Sequence, residues 1–211
     1  FVLAASEYQA AYDKQPSSIN AVDLAKALAL AGDSEKSTQL LEKHLTDNPQ
    51  DTNVQVMLAG AYLNHKKEIE AISLYEKALL TNPNNIIALN NLAYLKLKQD
   101  ENTEALSIIE KAVSLAPEVP AILDTYGQAL AANDKLVESI AAYDKALLQD
   151  KNSADISINK AKALILNNQA QEAKQLLSEL KSDKLGESNG IKKLLQNLKL
   201  DVSIFYKDSL G

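Results

Sequence analysis

The 211-residue sequence has no cysteine, no tryptophan and no arginine: all 22 of its basic residues are lysine. Without cysteine there can be no disulfide framework, thiolate zinc site, iron–sulfur centre or cysteine nucleophile. The absence leaves the redox compartment open. Twenty-eight acids against 22 lysines give a net charge of −6. A chain that is acidic and lacks the bidentate guanidinium is poorly suited to the phosphate backbone, so no nucleic-acid partner is expected. Uncharged stretches fall short of the ~20 apolar residues that span a bilayer, so no direct membrane insertion is expected either. The six glycines, at 32, 60, 127, 186, 190 and 211, stand singly and form no phosphate-cradling loop. What is abundant is alanine and leucine, with only five prolines, and that composition points to an all-helical chain. The sequence opens on Phe1 rather than Met, with no signal-peptide pattern after it, and reads as a piece of a longer or processed protein.

Self-similarity organises the rest. Pro49, Pro83 and Pro117 stand 34 residues apart and close the phrases LLEKHLTDNP, LYEKALLTNP and IIEKAVSLAP. Upstream, a small, a large and a small residue recur at fixed offsets: Ala71, Tyr75 and Ala78; Ala105, Ile109 and Ala112; Ser139, Tyr143 and Ala146; more weakly Ala173, Leu177 and Leu180. The first halves agree as well, at Leu24-Ala25, Leu58-Ala59, Leu92-Ala93, Tyr126-Gly127 and Lys160-Ala161. Five units follow in one register: 18–51, 52–85, 86–119, 120–153 and 154–187. Residues 1–17, with Ala4, Tyr8, Ala11 and Pro16, read as the second helix of a truncated preceding unit.

This pattern resembles the tetratricopeptide repeat, a 34-residue helix–turn–helix unit. The resemblance implies an all-α fold, a right-handed α-α superhelix built of antiparallel helix pairs. Elementary physics supports it. Apolar residues at three- and four-residue spacing, such as Leu89, Leu92, Ala93 and Leu97, give each half-unit one sticky face. Small residues let two backbones approach, and a bulky neighbour fills the space beside them. One pair cannot bury its stripe, whereas stacked pairs can. The prolines are expected to stop each second helix, and Asp33-Ser34 and Asn102-Thr103 to cap its start. Tyr8, Tyr62, Tyr75, Tyr126 and Tyr143 occupy core slots of the repeat. Past residue 187 the register fades; 188–211 reads as a capping helix at 190–198 and a tail.

No catalytic set emerges, and neither a cofactor nor a metal is expected. His44 falls on a packing face, where it is read as structural, and His65 falls in a turn. Function then rests on a surface. In the tetratricopeptide family the first helix of each unit lines a concave face, chiefly at positions 2, 5, 6, 9, 12 and 13. The resemblance places there Asp23, Lys26, Asn53, Met57, Asn64, Asn90, Asn91, Tyr94, Asp124, Thr125, Gln128, Asn159 and Lys162. The candidate peptide-groove residues among them are Asn53, Asn90, Asn91, Tyr94, Asp124, Gln128, Asn159 and Lys162. Asn91 and Asn159 share position 6, and a carboxamide there can both donate to and accept from a peptide backbone. Such a groove grips an extended segment by main-chain bonds. A clamp for an acidic chain terminus is disfavoured, because Asp23 and Asp124 put negative charge on the same face. The expected partner is a protein or peptide of unknown identity.

A narrower resemblance concerns residues 88–95 (ALNNLAYL) and 110–127 (EKAVSLAPEVPAILDTYG). They are similar to the C-terminal repeats of tetratricopeptide lipoproteins of the exosortase (PEP-CTERM) system of Gram-negative bacteria. That resemblance implies a periplasmic or outer-membrane-anchored parent in exopolysaccharide-linked sorting; without it a cytoplasmic setting is expected. Two other functional readings stay open: a recognition segment of a larger enzyme, and a homo-oligomer formed through Val2, Leu3 and Tyr8.

Overall fold

A computed structural model describes residues 2–179, and every element in that range is helical. The expected end of the fifth unit, the capping helix and the tail lie outside the described residues. Eleven helices follow in order: α1 (Val2–Lys14), α2 (Ser18–Leu30), α3 (Ser34–Asp47), α4 (Thr52–Asn64), α5 (Glu68–Thr81), α6 (Ile86–Lys98), α7 (Asn102–Leu115), α8 (Pro120–Ala132), α9 (Leu136–Gln149), α10 (Ala154–Leu166) and α11 (Ala170–Ser178). The starts of α2, α4, α6, α8 and α10 are each 34 residues apart, as are those of α3, α5, α7, α9 and α11. The chain divides into two compact units, residues 1–95 and 96–211, with the division inside α6.

The turn within each pair is built the same way every time. One residue takes a left-handed conformation: Gly32 (φ 90°), Lys66 (φ 59°), Asp100 (φ 60°), Asp134 (φ 61°) and Asn168 (φ 60°). Around it two amides reach back to the end of the first helix, as Asp33 N–H to Leu28 C=O and Gly32 N–H to Ala29 C=O, or Lys67 to Tyr62 and Lys66 to Leu63. This closes orphan carbonyls in the Schellman manner. Only the first of the five positions carries glycine, so four units hold an L-residue in strained backbone to keep the turn tight.

That turn overrides the expected capping. Asp33 precedes α3 but makes no side-chain cap bond, and Glu101, not Asn102, holds the corresponding place before α7. The residues there have ψ of 53° and 55°, short of the extended backbone from which a side chain reaches the third amide. The caps sit instead on the first helices. Ser17 accepts from Asn20 N–H, Asp51 from Val54 N–H, Asn85 from Ala88 N–H and Ser153 from Ile156 N–H. Val119 breaks the series, and there Pro120 opens α8, where a missing N–H costs nothing.

The prolines also act differently from expectation. α3, α5 and α7 end two residues before Pro49, Pro83 and Pro117, and the intervening Asn48, Asn82 and Ala116 have φ between −141° and −128°. Asp150 adopts φ −129° and ψ 79° at the same place although Lys151 follows it. The residue before proline is steered from the helical region, yet the packing of the pair suffices without it.

In unit 1, α2 packs on α1, α3 and α4, and α4 on α3 and α5. Ala21, Ala25, Leu41, Val54 and Leu58 form a core, with Tyr12, Leu45 and Tyr62 against it. In unit 2, α8 packs on α7, α9 and α10, around Leu123, Tyr143, Ala146, Ile156 and Ala163. The tyrosines divide. Tyr75 and Tyr143 are fully buried, but Tyr62 and Tyr126 are half-buried and Tyr8 is exposed, so three of the five expected core slots are only edges. Tyr62 keeps its hydroxyl at the surface, where it donates to Glu42 at 2.8 Å; burial of the ring and that carboxylate push its pKa up to about 12. Serines replace alanine at one tight contact: Ser37 donates to Ala25 C=O and Ser139 to Gly127 C=O, both buried. Lys160, in a slot that the other units fill with an uncharged residue, pairs with Asp144.

Candidate functional site

In unit 1 the face shared by α2, α4 and α6 forms a cavity of about 740 Å³ that is open to solvent. Ile19, Val22, Val56, Met57, Ala61 and Ile87 supply apolar wall, and Asp23, Lys26, Asn53, Asn64 and Asn91 supply polar groups. Asp23 and Lys26 face each other at 3.9 Å, both well exposed, so the rim carries no net charge from them. Of the four candidate residues in this unit, Asn53 and Asn91 line the cavity. Asn90 lies behind Asn91: its Nδ2 donates to Asn91 Oδ1 at 3.3 Å, and its own Oδ1 is buried without a partner. Tyr94 is exposed and lies outside the cavity lining.

Asn91 is held from both sides, since its Nδ2 donates to the hydroxyl of buried Tyr75 at 2.9 Å. Asn53 donates to Ser18 Oγ at 3.3 Å, and Ser18 in turn donates to Asp51 at 2.8 Å. Asp51 leads inward to His44, whose Nε2 lies 3.1 Å from Asp51 Oδ2 and whose Nδ1 lies 3.0 Å from the Tyr12 hydroxyl. A carboxylate only accepts, so Nε2 carries the hydrogen, and in the neutral ring Nδ1 accepts from Tyr12. His44 is buried with both ring nitrogens satisfied, one by Asp51 and one by Tyr12. Ser18 bonds the carboxylate rather than the imidazole, which is the wrong order for a hydrolytic triad.

In unit 2 the four candidate residues form one hydrogen-bonded chain. Lys162 Nζ donates to Asn159 Oδ1 at 3.1 Å, Asn159 Nδ2 donates to Asp124 Oδ1 at 3.0 Å, and Gln128 Nε2 donates to Asp124 Oδ2 at 3.0 Å. The two position-6 asparagines are thus set in different frames: Asn91 against a neutral phenol, Asn159 against a carboxylate. Burial pushes the Asp124 carboxyl above its ordinary range, and nearby Asp155 adds to this. The two amide donors and Lys162 act in the opposite direction without cancelling it.

The sign of the pH dependence follows. A carboxyl whose folded pKa exceeds its unfolded value binds more protons when folded, so stability falls as pH rises from about 3.8 through the raised value. Asp124→Asn removes this loss, because asparagine can offer its oxygen to Asn159 and its amide to a flipped Gln128. The variant is expected to melt roughly 1–3 °C higher than the parent at pH 7 and level with it near pH 3.5. Thermal melts across that range check it; a constant difference at all pH values contradicts it.

Apolar walls stand at the same register positions as the polar candidates, Ile19 and Ile87 at position 2 and Val22 and Val56 at position 5, and polarity alone does not mark them. Nor does it mark Gly60, whose missing side chain leaves the cavity floor open. A methyl built there would meet only the Tyr75 hydroxyl, at 3.9 Å. Among the described residues no three histidine or carboxylate side chains converge to hold a metal ion, and no helix is long and apolar enough to cross a membrane.

The fold and these residues define a class: a helical-repeat protein in which first helices carry carboxamides, Asn53 on α4, Asn91 on α6, Gln128 on α8 and Asn159 on α10. A family model described as ChAPs (Chs5p-Arf1p-binding proteins) matches residues 12–123, just over half of the chain, and a tetratricopeptide repeat model matches residues 129–198. Both fall on the array, and the chain belongs to the tetratricopeptide-repeat proteins, sharing the pattern of the ChAPs family over its first three units. Among solved structures it is similar to YrrB, described as a TPR protein with an unusual peptide-binding site, with a TM-score of 0.70 and 20% identity over 93% of this chain and 99% of that one. MamA from Desulfovibrio magneticus RS-1 gives 0.68 and 17%, over 82% and 97% of the two chains. A further MamA structure gives 0.64 and 16%, over 86% and 92%. These likenesses establish the right-handed helix-pair solenoid fold. No curated protein matches the sequence.

Proposed function

We propose that the protein is an interaction scaffold that binds an extended peptide segment of a partner along the first-helix face. The observation that carries this reading is the unit 1 cavity, where apolar walls flank two carboxamides, Asn53 and Asn91, whose side chains are already oriented by hydrogen bonds. An extended chain presents alternating C=O and N–H groups, which a carboxamide can match whatever the sequence, while the apolar walls select side chains. Asn159, held by Asp124 and Lys162, offers the same chemistry in unit 2. The peptide-binding site named for YrrB supports the reading by analogy of fold.

Selection from a random peptide display library supplies the ligand that tests it. Asn91→Ala and Asn159→Ala are expected to weaken the selected peptide, each by roughly three- to tenfold if its unit is engaged. Unchanged affinity in the double variant would refute the groove assignment. As to setting, the wording of residues 88–95 and 110–127 supports envelope protein sorting linked to exopolysaccharide. Recovery of the protein solely in the cytoplasmic fraction of its host would sink that part.

A further inference from the structure

We propose that Tyr75 is the positioning residue of the unit 1 groove: its hydroxyl, fixed in the core, holds the Asn91 carboxamide in the plane in which it meets a peptide backbone. The inference rests on the peptide-groove reading and deepens it. Tyr75 is fully buried on α5, where it cannot swing away, and it accepts from Asn91 Nδ2 at 2.9 Å. On the other edge of the same amide, Asn91 Oδ1 accepts from Asn90 Nδ2 at 3.3 Å. The terminal torsion of asparagine is broad and has no strong well of its own. The fixed Tyr75 hydroxyl on one edge, with the Asn90 amide against the other, therefore defines a plane that the side chain alone would not keep.

The pairing leaves a ligand something to bind. A carboxamide has two N–H groups and two oxygen lone pairs, of which Tyr75 engages one and Asn90 another. One donor and one acceptor remain, which match the C=O and N–H of an extended chain. A phenol can accept from Nδ2 or donate to Oδ1, so it fixes the plane without dictating which end of the amide faces the ligand. Gly60 completes the arrangement. It lines the cavity with Tyr75 and Asn91, and its bare Cα leaves the space above the hydroxyl free of a side chain. Ordering this amide before binding removes an entropy loss that each peptide would otherwise incur.

The test uses the full chain and a neutral blocked peptide, acetyl-Leu-Ala-Leu-Ala-amide, titrated with detection of backbone and side-chain amide signals by NMR. In the parent protein the Asn53 and Asn91 side-chain signals should move. Tyr75→Phe, which removes only the hydroxyl, should weaken the probe about three- to tenfold and move both Asn91 side-chain proton signals toward the conformationally averaged shifts of a free amide. In an Asn91→Ala background the same substitution should have no further effect on affinity. A hydroxyl that served stability alone would give neither the averaging nor the vanishing effect. If Tyr75→Phe leaves affinity intact, or weakens it equally with and without Asn91, the positioning role is wrong while the groove reading stands. If the probe moves neither asparagine signal in the parent, the groove reading fails and takes this inference with it.

Discussion

Gly127→Ala is expected to destabilise unit 2 by about 1–3 kcal/mol, against the usual direction of glycine-to-alanine changes in a helix. Alanine is the better helix former by ~1 kcal/mol, and a methyl added at most helical glycines is harmless. At Gly127 it would lie 2.6 Å from Cε1 and Cζ of Tyr143 and 2.9 Å from Cδ1. No side chain tolerates such distances, and the obstacle is a rigid, buried ring rather than the free end of a flexible chain. The backbone has little room to retreat, because Gly127 C=O is held by Ser139 Oγ at 2.7 Å. In unit 1 the corresponding positions hold Tyr75 and Ala59, both fully buried, so the repeat tolerates a methyl there unless the ring has moved into its place. Gly60→Ala is the internal control, since its new methyl makes one ordinary contact and should leave stability level or slightly raised. Denaturant melts of the two variants compare them directly. In a Tyr143→Leu background, which lacks the obstructing atoms, the loss from Gly127→Ala should shrink by more than half. A full loss in that background would place the cause elsewhere.

The second large effect is expected at Asp51, which serves three groups at once. Its Oδ1 accepts from Val54 N–H at 3.2 Å to cap α4 and from Ser18 Oγ at 2.8 Å, and its Oδ2 meets His44 Nε2 at 3.1 Å. Asp51→Ala deletes a cap worth ~1 kcal/mol and leaves a buried imidazole N–H without an acceptor, a further ~1–3 kcal/mol. The combined loss should be about 2–4 kcal/mol, read by chemical denaturation, with amide exchange accelerating first in α2–α4. Asp51→Asn keeps an oxygen for the cap and should lose less. The slot of His44 holds alanine in three other units, Ala78, Ala112 and Ala146, so pairing Asp51→Ala with His44→Ala removes both ends of the hydrogen bond. That double variant should lose less than the sum of the single changes. Strict additivity would mean that His44 and Asp51 do not support each other.

Much of this architecture was readable because it repeats. The 34-residue spacing of prolines and small residues fixes the helix starts of every pair, and Ala25, Ala71, Ala78 and Ala112 are buried where close backbone approach demands them. What the periodicity did not reveal are features set by local backbone geometry. The left-handed residue of each turn is glycine once and then lysine, aspartate twice and asparagine, so composition hid a conserved conformation under changing side chains. The capping series Ser17, Asp51, Asn85 and Ser153 stood at the same register position in plain view. At the start of the second helix, where Asp33 and Asn102 offer similar side chains, the turn leaves the backbone unable to cap.

The candidate site was legible by position and illegible by partnership. Register placed Asn53, Asn91, Asp124 and Asn159 on first helices, and they are there. Nothing in the spacing said that Asn91 would bond a tyrosine sixteen residues earlier, or Asn159 an aspartate thirty-five residues earlier. Such bonds depend on how helices of successive repeats lie against each other, which one sequence encodes only through packing. Asn90 shows the cost of counting polar residues: it met the same criterion as Asn91, yet its oxygen is buried and turned from the cavity.

The measurement that bears most directly on the central claim is an NMR map of intermolecular contacts between the isotope-labelled chain and a library-selected peptide. Contacts from the peptide to Val22, Val56, Gly60 and Asn91, on the inner side of α2, α4 and α6, are the predicted result. Contacts confined to the outward residues of α3 and α5, such as Glu35, Ile69 and Leu80, would contradict the account.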